Sequence, residues 1–198
     1  MSLPPCPACH EAVGGPICVG CGLLQPVPAA LDPWTALGLR PRWALEPADI
    51  DRAWKERSKL VHPDRFVGKA PALRRAALGW TAGVNEARRA LKAPMSRGLW
   101  LAIGQGALPE RGGPVMDPDF LDWVFSMQMA LDEDPAAVAA AVTERRAALY
   151  TALQSLFSAW EQAGSPPPGH ASLAAAPALL AQLRYVEQLQ ARLEPTRA

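Results

Sequence analysis

Two groups of residues in this 198-residue chain have the types and spacing to do chemistry. The first is Cys6-x-x-Cys9 followed, after eight residues, by Cys18-x-x-Cys21. Four thiolates paired in this way complete a tetrahedral metal site, and Zn²⁺ in a closed structural site is the expected occupant. A redox CxxC sits at a helix start in a βαβ setting, which the sequence lacks. His10, next to Cys9, is left as a bystander because the four cysteines already fill the site. The second group is His62-Pro63-Asp64. Asp64 can accept charge-assisted hydrogen bonds, and His62 can donate or accept one. Pro63 stiffens the loop between them, so less entropy is lost when a partner takes hold of it. Nothing adjacent in sequence completes a triad around His62, which points to recognition rather than acid–base catalysis.

The elements flanking the loop decide whether it is more than a helix-breaking turn. Upstream, Pro47 suits the first turn of a helix, with Asp49 and Asp51 near its positive end. At 100° per residue Ile50, Trp54 and Val61 share one face, while Arg52, Lys55 and Lys59 fall on the opposite one. That helix must end near Val61, because Pro63 disfavours the α conformation at His62. Downstream, a helix from about residue 70 to 92 carries the stripe Leu73, Ala77, Trp80, Val84, Ala87 and Leu91. Two such helices joined by a short loop are expected to pack as an antiparallel hairpin.

The rest of the chain reads as helices too. Pro94 opens a further helix through Leu99, Trp100 and Ile103. A Gly/Pro-rich stretch over 105–116 reads as a linker. Asp117-Pro118 and Asp134-Pro135 each look like a cap followed by proline at the first helical position. The expected core positions are Val138, Val142, Leu149, Leu153, Leu156 and Trp160 in one helix, and Leu179, Leu183, Val186 and Leu193 in the last. No period-2 strand pattern occurs, so the fold is expected to be all-α: a small cysteine module over 1–31, a helical hairpin and connecting helix over 32–104, and a three-helix bundle over 117–198.

Charge divides the chain in the same place. From Arg40 to Arg97 there are 14 Lys+Arg against 6 Asp+Glu, and from Gly98 to Ala198 there are 6 against 11. A basic half and an acidic half imply different partners. No interleaved aromatics or base-reading motif accompany the basic half, so an acidic protein partner is expected rather than nucleic acid. No apolar run reaches the ~18 residues that span a bilayer, and no secretory or transit signal is evident, so a cytoplasmic protein away from membranes is expected. Disulfides do not suit that compartment.

The segment DPWTALGL (Asp32 to Leu39), the basic helix, VHPDRF (Val61 to Phe66) and the helix containing Asn85 resemble a J-domain in order and spacing. The resemblance implies a non-enzymatic module that contacts a DnaK-type chaperone and stimulates its ATPase. It assigns chaperone contact to His62, Pro63, Asp64, Arg65 and Asn85, with Arg52, Lys55 and Lys59 as the steering face. HPDRF, the segment Leu91 to Gly106 and the absence of a Gly/Phe-rich linker are similar to the HscB family of iron–sulfur co-chaperones. That family implies an HscA/DnaK-class chaperone at one end and an IscU-type scaffold at the other. It assigns scaffold contact to Leu121, Phe125, Glu133 and Tyr185, although Ser126 and Met129 stand where acidic residues are usual. A first bundle helix apolar nearly all round argues for an exposed patch that meets a partner. The cysteine module followed by Leu24-Gln25-Pro26 also resembles some members of the family, and the implied pathway keeps an iron–sulfur cluster open as the alternative to zinc. A J-protein with a different client, and a zinc-containing nucleic-acid-binding protein, are the competing readings.

Overall fold

Proline opens six of the helices in the computed structural model, which describes residues 3–109 and 113–193. They are α1 (Pro33–Leu37), α2 (Pro47–Val61), α3 (Pro71–Lys92), α4 (Pro94–Ile103), α5 (Pro118–Ala130) and α6 (Pro135–Gln162). The last helix, α7, is Ala176–Leu193. Proline at these starts gives up a backbone N–H that would have no helical partner anyway. Aspartates finish the job at three of them: Asp32 accepts from the Thr35 amide at 2.9 Å, Asp117 from the Asp119 amide at 2.9 Å and Asp134 from the Ala137 amide at 3.0 Å. Parts of the expected module (1–2), linker (110–112) and bundle (194–198) lie outside the described residues.

The fold is all-α. Among the described residues no strand forms, and one isolated antiparallel bridge pairs Ile17 with Leu24. No described helix is long and apolar enough to cross a membrane. The chain divides into two compact units, Met1–Arg97 and Gly98–Ala198, with the division falling inside α4.

In the first unit α2 and α3 run antiparallel. Val61 is tied to Thr81, Trp54 to Asn85, and Asp51 to Arg88 and Lys92, so partners separate in sequence as they recede from the loop. Between the helices lie Ile50, Val61, Ala77, Trp80, Val84 and Leu91, all without solvent exposure. The α1 segment closes this core with Trp34 and Leu37 and ends at Gly38, whose φ of 70° suits the left-handed cap.

The second unit packs α5, α6 and α7 around Phe120, Val138, Leu153, Phe157, Leu183 and Val186. Its register differs from the expected stripe at three positions. Leu156 is half-exposed and Phe157 takes the core position, while Leu179 and Leu193 are half-exposed and Leu180 and Leu189 are buried. Adjacent apolar residues on a helix lie 100° apart, so a Leu/Ala-rich sequence offers two overlapping stripes, and only packing selects between them.

Candidate functional site

The loop at the hairpin tip is built by its own residues. Pro63 ends α2 by holding His62 in an extended conformation (φ −56°, ψ 128°), and Pro63–Phe66 then forms one 3-10 turn. His62 caps that turn, its Nδ1 accepting the Asp64 amide at 3.3 Å. Because Nδ1 is an acceptor, the neutral ring carries its proton on Nε2 and can donate from there. The Asp64 carboxylate stands 3.5 Å from the same Nδ1. Both side chains are open to solvent, His62 at 56% and Asp64 at 85%. The loop presents a donor and a carboxylate side by side.

Two bonds fasten the loop to the helices. Arg65 Nη1 donates to the Lys59 carbonyl at 3.3 Å, satisfying one of the C-terminal acceptors of α2. Thr81 Oγ1 shares its one proton between the Ala77 carbonyl of its own helix, at 2.8 Å, and the Val61 carbonyl across the hairpin, at 3.2 Å. The sequence reading missed Thr81, although a threonine beside the stripe residue Trp80 was the available signal.

Arg52, Lys55 and Lys59 are exposed on α2, and the Arg52 guanidinium is bonded to Asp49 one turn earlier. Asn85 lies one turn further along α3 than Thr81, away from the loop, where its Oδ1 accepts the Trp54 indole N–H at 2.8 Å. Arg88 stacks 4.4 Å over the Trp54 ring and donates to Asp51 at 2.7 Å, and Lys92 reaches the same carboxylate at 2.8 Å. Hydrogen bonds from Lys92 and Arg88 hold the Asp51 carboxyl below its ordinary pKa. The polar clasp between α2 and α3 is therefore Asp51, Trp54, Asn85, Arg88 and Lys92.

In the second unit α5 exposes a stripe at four-residue spacing: Leu121 at 44%, Phe125 at 65% and Met129 at 65%. Its other face is buried through Phe120 and Val124. The Phe120 ring stacks on Trp123 at 5.8 Å and receives the edge of Tyr185 at 6.4 Å. Arg145 lies 4.9 Å from the centre of the Trp123 ring. Tyr185 is thus half-buried under α5 rather than part of the exposed stripe, while Glu133 is exposed in the turn after the helix. Leu121 and Phe125 are exposed on α5, whereas Tyr185 packs against Phe120 on its buried face.

The four cysteines come together as their spacing demands. Their sulfurs all lie within 4.8 Å of one another, with Cys6–Cys21 at 3.6 Å and Cys9–Cys18 at 3.5 Å. Four sulfurs at ~2.3 Å from one zinc would stand about 3.8 Å apart, so the set fits a tetrahedral metal ion. Burial opposes ionisation of Cys6, but the Ala8 and Cys9 amides and the Cys21 and Cys9 thiols outweigh it and bring its pKa down to about 6. Cys9 moves the other way, to about 12: the Glu11 amide favours its thiolate, yet the Cys18, Cys21 and Cys6 thiols and burial prevail. Four thiolates crowd together only around a cation, so ionising all four, Cys9 included, would take a bound metal ion, which this set could hold.

A helical hairpin with His-Pro-Asp at its tip, followed by a helical bundle, defines a J-domain protein. No family model matches the chain. The co-chaperone protein HscB homolog of Bordetella pertussis is 36% identical over 140 residues, covering 69% of this chain and 82% of that protein. The iron–sulfur cluster co-chaperone protein HscB homolog of Arabidopsis thaliana is 27% identical over 128 residues, covering 65% of this chain and 51% of that one. The crystal structure of human co-chaperone protein HscB shares the fold, with a TM-score of 0.68 at 23% identity over 96% of both chains. The chain belongs to the HscB co-chaperone family.

Proposed function

We propose that this protein acts in the cytoplasm as a co-chaperone without catalytic groups of its own, stimulating ATP hydrolysis by an HscA/DnaK-class chaperone and bringing to it an IscU-type iron–sulfur scaffold. The observation that carries the first half is the exposed His62-Pro63-Asp64 loop, held by Arg65 and Thr81 at the end of the basic helix. Its donor and its carboxylate are pre-positioned, and Arg52, Lys55 and Lys59 supply the field that draws an acidic surface to them. The second half is supported by the Leu121, Phe125 and Met129 stripe, exposed apolar side chains at one-turn spacing of the kind that serve as contact sites for a partner. Leu121, Phe125 and Glu133 would meet the scaffold directly, and Tyr185 would set the position of α5 through Phe120. The cysteine cluster would hold Zn²⁺ as a structural ion, supplying folding energy to a module built around a small buried cluster, Cys6, Val13 and Cys18 with Leu3 and Leu23 packed against it.

The test of the loop is His62→Gln, which keeps polarity and removes the imidazole. Chaperone ATPase stimulation should disappear, while the unfolding free energy stays within ~0.5 kcal/mol of wild type, as for other exposed substitutions. Stimulation by wild type should need more protein as salt rises, because exposed charges are screened beyond about 10 Å at 0.1 M. Full stimulation by the variant would remove the loop from the activity.

A further inference from the structure

Residues 23–31, between the cysteine cluster and α1, lie against α3. Two glycines one turn apart on that helix make the approach possible. A Cβ at Gly79 would come within 2.9 Å of Val27, and one at Gly83 within 2.8 Å of Leu31. At the head of the segment stands Gln25, a polar residue only 4% exposed. Its amide N–H donates to the Pro16 carbonyl at 2.8 Å. Its side-chain Nε2 donates to the Leu23 carbonyl at 2.7 Å and to Cys6 Sγ at 3.5 Å. Its own carbonyl accepts the indole N–H of the fully buried Trp80 at 2.8 Å. The next residue, Thr81, bonds the Ala77 carbonyl of its own helix at 2.8 Å and reaches with the same hydroxyl, at 3.2 Å, the carbonyl of Val61, the residue that precedes His62. A second tie crosses nearby. Arg57 of α2 lies over Gly15 of the cysteine module and Gly38 after α1, and a Cβ at either glycine would strike its guanidinium.

We infer that the metal-loaded cysteine cluster clamps the hairpin, and that Gln25 is the positioning residue linking Cys6, through Trp80 and Thr81, to the base of the His62 loop. The inference rests on the reading of the cluster as a metal site and adds what its occupancy does. A metal-bound thiolate is an ionised acceptor, for which the Gln25 amide is a stronger partner than it would be for a neutral thiol. Without the metal, so small an apolar cluster as Cys6, Val13 and Cys18 with Leu3 and Leu23 cannot hold the module together, and the segment loses its fixed end. Trp80 then loses the acceptor for a buried N–H, which destabilises the turn of α3 that also carries Thr81. The loop keeps its residues but loses its anchor.

The experiment uses the full-length protein, first measured for Zn²⁺ per chain and then stripped with a chelator. Hydrogen exchange is followed over 61–66 and 75–84 with α6 as internal reference, and the Trp80 indole ¹H–¹⁵N resonance is assigned with Trp80→Phe. Loss of Zn²⁺ should speed exchange in both segments by about tenfold or more, leave α6 unchanged and move the Trp80 resonance. Gln25→Leu with Zn²⁺ still bound should reproduce the faster exchange in part. Zn²⁺ that leaves without changing 75–84 or the Trp80 resonance would overturn the inference while leaving the metal site standing. A protein that binds no Zn²⁺ at all would overturn both.

Discussion

Replacing Phe125 by alanine separates binding from folding more cleanly than any other change on the bundle. Phe125 is 65% exposed, so most of its ring makes no contribution to the unit that carries it. A phenylalanine offers on the order of 200 Å² to burial. The exposed share is therefore roughly 130 Å², which at about 25 cal/mol per Å² sets a ceiling near ~3 kcal/mol for a partner that covers it fully. A real interface covers less and costs side-chain ordering, so the expected loss is ~1–3 kcal/mol, or about 5- to 150-fold in Kd. Titration calorimetry of Phe125→Ala against the IscU-type scaffold measures this directly, beside a thermal melt that should move little. Phe120→Ala is the contrast on the same helix. Its ring is 3% exposed and packs on Trp123 and Tyr185, so its loss should cost the fold ~3–5 kcal/mol. Unchanged scaffold affinity for a well-folded Phe125→Ala protein would refute the reasoning and remove the stripe from the interface.

Asp51→Asn should weaken the α2–α3 clasp in a pH-dependent way. Because Lys92 and Arg88 depress the carboxyl in the folded state, its contribution is present above the unfolded value, ~4 for a carboxylate, and is lost as pH falls through the folded one. Urea melts of both proteins should thus differ at pH 7 and converge in acid, and a constant difference would contradict the assignment. Gly38→Ala forces an L side chain into φ 70° and against Arg57, and should cost at least about 1–2 kcal/mol in the same assay. A melt equal to wild type would show that neither constraint operates.

Much of this molecule was legible because its punctuation is local. Pro47, Pro94, Asp117-Pro118 and Asp134-Pro135 act within one helical turn, and each opens a helix where the sequence places it. The His62 loop and the paired CxxC knuckles were readable for the same reason, since spacing alone brings their groups together. What escaped depends on tertiary choices. Leu156 and Phe157 are both apolar, and packing rather than periodicity buries Phe157. Tyr185 is named by its neighbourhood in sequence, yet its place under Phe120 is a property of the bundle. Gln25 and Arg57 carry no local signal of their burial or of the segments they approach. The spacing of Gly79 and Gly83 on one face of α3 was the one hint that another segment comes close.

Co-chaperone activity is tested most directly by the steady-state ATPase rate of an HscA/DnaK-class chaperone, measured alone, with this protein, with the scaffold, and with both. Stimulation by this protein alone, with a further, more than additive rise when the scaffold is present, is the predicted result. No stimulation in either mixture would exclude the co-chaperone activity, and stimulation that ignores the scaffold would exclude the scaffold as its client.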